Sequence, residues 1–88
     1  MPHYLFRASY TLQGIQGVMK EGAASRVAAV AALAESVGGR VEASYWAFGD
    51  DDFLTIVELP DNAAAMAVAA TVGSSGAARV TTTVLLDA

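Results

Sequence analysis

No cysteine occurs among the 88 residues of this chain. Disulfides, thiolate nucleophiles and thiolate zinc sites are thereby excluded, and the expected setting is a reducing one, the cytoplasm. Histidine occurs once, at His3. One chain therefore cannot build a multi-histidine site, and no metal or other cofactor is expected. The five basic residues, Arg7, Lys20, Arg26, Arg40 and Arg79, are scattered along a chain of net charge −4. Neutralising phosphates takes clustered cations, so nucleic acid is not an expected partner. No apolar run reaches the ~18 residues of a membrane span. No basic amphipathic helix recommends a membrane surface. No leading stretch joins a basic region, an apolar core and a cleavage site.

Alanine is what the chain has in plenty. Apolar residues make up 55%, yet nineteen of the 88 residues are alanine. Burial free energy scales with area, so each alanine contributes little. A chain of this length hides only about 60–65% of the surface its unfolded form exposes. The large apolar groups, among them Phe6, Tyr10, Leu33, Tyr45, Trp46, Phe48 and Phe53, lie mostly in the strand-like stretches.

"HYLFRASYT", residues 3–11, alternates Tyr4, Phe6, Ala8 and Tyr10 with His3, Leu5, Arg7 and Ser9, which predicts a strand. Thr11 offers an N-cap for "LQGIQGVMK". Gly14, Gly17 and Gly22 weaken that helix and predict a short or irregular piece. Ser25 is the expected cap of a better helix, in which Val27, Val30, Leu33 or Ala34, and Val37 recur at helical spacing. Gly38-Gly39 is its expected stop. "RVEASYWAF", residues 40–48, places Val41, Ala43, Tyr45 and Ala47 on one face and Glu42, Ser44, Trp46 and Phe48 on the other. A polar connection, Gly49 to Asp52, leads into a third strand, "FLTIVEL". Asp61 or Asn62 caps a helix running to Gly73, "GSSG" is a loop, and "ARVTTTVLL" closes as a β-branched strand.

This order, βαββαβ, is that of a ferredoxin-like α+β fold: a four-stranded antiparallel sheet with two helices on one face. The other face is left bare. It carries either Tyr4, Phe6, Tyr10 and Tyr45 or Leu5, Arg7, Trp46 and Phe48. Either set needs cover, so the chain is expected to associate with itself through that face.

The length, the element order and the stretch "GGRVEASYWAFGDDDFLTIVELPD" resemble the GYD domain family, as do "TLQGIQGVM", the Arg26 after it, and "GAARVTTTVL". Gly49, Asp50 and Asp52 fall on the family motif, Gly49 and Asp52 matching its glycine and final aspartate. The motif's aromatic position is taken by Asp51. The resemblance implies a ferredoxin-like fold of the dimeric α+β barrel type and implies no activity.

Asp50, Asp51 and Asp52 are acidic neighbours, but adjacent residues on an extended chain diverge, and the spaced ligands of a calcium loop are missing. They read as a turn, with Asp52 in a hydrogen-bonding role beside the third strand. Arg7, in mid-strand, reads as an anion clamp or as the partner of Glu42 or Glu58. Tyr10, Tyr45, Trp46 and Phe48 join Arg7 as candidate ligand-binding residues, lining a mainly apolar cavity between the sheets of two copies. The expected function is a homo-oligomer binding a small apolar or anionic molecule. The alternative is a cofactor-independent monooxygenase or isomerase acting on an aromatic or quinone-like compound.

Overall fold

The alternating stretch at residues 3–10 forms β1 (His3–Tyr10), a central strand of the sheet in the computed structural model, which describes residues 1–88. Along the chain follow α1 (Leu12–Glu21), α2 (Ala23–Ser36), β2 (Arg40–Trp46), β3 (Phe53–Glu58), α3 (Asn62–Ser74) and β4 (Ala78–Leu85). The strands lie in the order β2-β3-β1-β4, every pair antiparallel. This is the expected ferredoxin-like α+β arrangement, with one addition: the first crossover holds two consecutive helices.

Thr11 caps α1 as expected, its hydroxyl accepting from the Gly14 N–H at 3.1 Å. The helix is a regular ten residues, not the irregular piece its glycines predict. Tertiary contacts outweigh their low propensity here. A Cβ on Gly14 would stand 1.9 Å from the Ala77 carbonyl oxygen, and one on Gly17 would stand 2.6 Å from Arg26 Nη2. These two glycines let α1 approach its neighbours. Gly22, at φ 93°, breaks the chain between α1 and α2. Because α2 starts at Ala23, Ser25 is not its cap; its hydroxyl lies inside the first turn and donates to the Gly22 carbonyl at 2.7 Å. Asp61 caps α3, accepting from the Ala64 N–H at 2.8 Å.

The helices cover one face, here called inner. Its cross-strand rows are Trp46–Phe53–Ala8–Val80, Ser44–Thr55–Phe6–Thr82 and Val41–Val57–Tyr4–Val84. The outer rows are Tyr45–Leu54–Arg7–Thr81, Ala43–Ile56–Leu5–Thr83 and Arg40–Glu58–His3–Leu85. Neither aromatic set expected on the bare face holds together. A β-bulge at Glu42 shifts the register between Val41 and Ala43. It puts Val41 on the inner face beside Ser44 and Trp46, and Tyr45 on the outer face with Leu5 and Arg7.

Only twelve residues are buried. The main cluster joins Tyr4, Phe6, Val57 and Leu59 of the sheet side to Ala34 of α2 and Ala65 and Val68 of α3. The Tyr4 hydroxyl in it donates to Asn62 Oδ1 at 2.6 Å, and the hydroxyl of Thr55, buried on the same face, donates to the Ala43 carbonyl at 3.1 Å. A smaller cluster, Ala8, Phe53 and Ala78, lies toward Tyr10, Val27, Val30 and Val72.

Candidate binding cleft

Alanine and valine dominate where α2 and α3 face the sheet, and they do not fill the space. A cleft of about 250 Å³ results. Its floor is the inner face at Phe6, Ala8, Tyr10, Phe53 and Thr55. Ala29, Val30 and Leu33 of α2 form one wall, and Val68, Ala69 and Val72 of α3 form the other. Ala29 and Thr71 line it and are still solvent-exposed, so it opens between the two helices. Of seventeen lining residues thirteen are hydrophobic, which makes the interior a poor host for a hydrated molecule.

Two polar groups stand out against that lining. Arg26, in the first turns of α2, is the only cation among the lining residues. Its guanidinium lies over Gly17, with Nη2 3.6 Å from Glu21 Oε2, while its Nε is buried without a hydrogen-bond partner. The second is the Tyr10 hydroxyl. Burial raises its pKa above the ordinary tyrosine value; the Arg26 charge opposes that shift and the Asp52 carboxylate adds to it. At neutral pH Tyr10 is thus a neutral donor. Its ring stacks on Trp46 at 5.8 Å, and Trp46 meets Phe53 at 4.8 Å.

The five candidate ligand residues do not converge. Tyr10 lines the cleft, and Trp46 stands behind it on the inner face. Arg7 and Tyr45 lie in one row of the outer face, and Phe48 is fully exposed on the connection between β2 and β3. Arg7 is exposed and forms no ion pair. The partners foreseen for it are taken elsewhere: Glu58 by Arg40 and His3, and Glu42 by His3 Nδ1 at 3.1 Å. Arg26, which lines the cleft, was not among the candidates. The signal was a single arginine in a run of alanine and valine, but the space it needs comes from Gly17, on another helix.

The aspartates are a joint. Asp52 Oδ2 accepts from the Tyr10 N–H at 2.8 Å, and the Asp52 N–H donates to the Ala8 carbonyl at 2.9 Å. Asp52 therefore has the hydrogen-bonding role expected of it and fastens the β2–β3 connection to the end of β1. The Ser9 hydroxyl donates to the Asp50 carbonyl beside it. Gly49, at φ 111°, makes the turn before them in a conformation that suits glycine. No set of three or more His, Asp or Glu side chains is arranged to hold a metal ion.

The model of the GYD domain matches residues 4–88. The chain belongs to the GYD domain family. Neither the curated proteins nor the solved structures contain a match to it. In this GYD domain the motif residues Gly49, Asp50 and Asp52 thus serve the joint beside Tyr10. No helix of the domain is long and apolar enough to cross a membrane.

Proposed function

We propose that this GYD domain protein binds a small, largely apolar molecule and works as a homo-oligomer. One observation carries the binding reading: the apolar cleft of about 250 Å³ between the inner face and the alanine-rich walls of α2 and α3. It is larger than the ~150 Å³ apolar cavity that admits benzene. It falls just below the ~300 Å³ at which drug-sized pockets begin, so a ligand of roughly ten non-hydrogen atoms fits its scale. The volume supports a site on the helix side of the sheet, with Tyr10 the candidate residue it retains.

Self-association is the second component. Leu5, Leu54, Ile56 and Tyr45 form an apolar band across the outer face, with no helix over it. A second copy, face to face, is the occupant that fits a band flanked by Arg7 on one side and His3 and Glu58 on the other.

Binding is favoured over turnover. Tyr10 and Arg26 are the titratable residues among those lining the cleft, and neither is a base at neutral pH. An oxygenase or isomerase acting there lacks a side chain to accept a proton.

Trp46 is the only tryptophan and stacks on a lining residue, so its emission reports on the cleft. Titration with octan-1-ol is expected to change that emission saturably, and Ala69→Phe, which fills one wall, to abolish the change. A flat titration in the folded wild type removes the proposal.

A further inference from the structure

We infer that the ligand is a monocarboxylate of about eight carbons, its carboxylate on Arg26 and the Tyr10 hydroxyl and its chain along the cleft. This rests on the binding reading above and adds the head group. Arg26 has the features of a cation awaiting a partner. Its Nε makes no hydrogen bond, so the protein's own acceptors do not saturate the guanidinium, and a ligand would meet the group through its less buried nitrogens. Its one acidic neighbour, Glu21, stands at 3.6 Å, well beyond the ~2.8 Å of a charge-assisted hydrogen bond, and is more than half exposed. That contact is weak and easily displaced.

The remaining cations are not available to the cleft. Arg40 is engaged by Glu58, Arg7 and Arg79 belong to the outer face, and Lys20 is exposed near the end of α1. Arg26 therefore supplies the only positive charge there, inside a chain of net charge −4. One guanidinium and one neutral phenol suit one planar anion: the fork of an arginine matches the two oxygens of a carboxylate. The three other lining hydroxyls, of Thr55, Thr71 and Ser75, already donate to backbone carbonyls, so a doubly charged phosphate ester would find few donors beyond Arg26 and Tyr10. Gly17 is part of the device, because its missing Cβ is the space in which the guanidinium lies.

Comparing octanoate with octan-1-ol separates the head group from the chain. Trp46 emission, read at pH 7 and constant ionic strength, should give octanoate at least about tenfold tighter binding than octan-1-ol, the scale of a hydrogen bond to a charged group. In Arg26→Gln the two ligands should bind within about twofold of each other. Glu21→Gln, which removes the competing carboxylate, should tighten octanoate about threefold and leave octan-1-ol alone. Gly17→Ala should displace the guanidinium and lower the preference at least about threefold, with no loss in thermal stability because alanine favours the helix. It keeps the test open should Arg26→Gln fold poorly. Equal binding of the two ligands by the wild type, or a preference that survives Arg26→Gln, overturns the carboxylate assignment while leaving the cleft a binding site. Binding of neither ligand overturns both.

Discussion

On its inner face the sheet presents Tyr4, Phe6, Phe53, Thr55 and Val57, all buried beneath the helices. On its outer face it presents Leu5, Leu54, Ile56 and Tyr45; the first three are half-covered by their neighbours and Tyr45 is 60% exposed. Both faces are built from β-branched, aromatic and leucine residues, so hydrophobicity alone does not separate them. The helices do, and they do so unevenly. At the Tyr4 end Leu59, Ala34 and Ala65 close the core tightly. At the Tyr10 end the same alanine-rich helices leave a cleft. Slender helices thus give the inner face a firm half and a hollow half, while the outer face has no helix.

The largest test of this contrast is a pair of truncations. Leu59→Ala, at a fully buried site, should lower stability by about 2–5 kcal/mol in urea denaturation. Leu54→Ala, on the outer face, should cost about 1 kcal/mol or less at concentrations where copies are separated. Equal losses at every concentration would mean that the outer face is already interior to the folding unit. Next, Ile56→Lys at the middle of the outer band should leave the far-ultraviolet circular dichroism unchanged and reduce the mass seen by light scattering to that of one chain. A wild type that scatters as one chain at micromolar concentration breaks the face-to-face arrangement.

A smaller effect separates the three aspartates. Asp52→Ala strands the Tyr10 N–H, half-buried at the end of β1, and should cost about 1–3 kcal/mol. Asp50→Ala should stay within about 0.5 kcal/mol, since its carboxylate has no partner and the bond it receives is to its backbone carbonyl. Similar losses at both positions would return the triplet to a simple solvated turn.

The smallest effect is a titration. Tyr10 has a folded pKa above its unfolded value, chiefly through burial, with Arg26 opposing and Asp52 assisting. In the window between the unfolded and folded values the native state holds more protons. That contribution to stability is whole below the ordinary tyrosine pKa near 10 and is lost as pH rises through the folded value. Tyrosinate absorbance should show one late-titrating residue. Arg26→Gln should move its midpoint up, and Asp52→Asn should move it down; movement in the opposite sense would mean that neither group acts on Tyr10.

Element order and most helix ends were legible because they rest on local chemistry: alternation for β1, Thr11 and Asp61 as caps, Gly38 as a stop. The faces were not. An extra residue at Glu42 reverses the alternation halfway along β2, and nothing in "RVEASYW" marks where the register slips. Of the candidate residues, Tyr10 is the one that lines the cleft. A cleft made by side chains that are too small leaves no motif, and the place of Arg26 depends on the absence of one carbon at Gly17, nine residues away on a different helix.

The bulge has a bearing on how the sheet ends. β2 and β4 are its two edges. Along β2 the bulge twists the strand, and Arg40 and Glu42 add charge, both of which discourage a newcomer from zipping alongside. β4 pairs with β1 over eight unbroken residues and carries one charge, Arg79. Should a foreign or kindred segment ever extend this sheet, growth would therefore proceed from the β4 margin alone, and a single lysine placed among Thr81 to Thr83 would be enough to guard it.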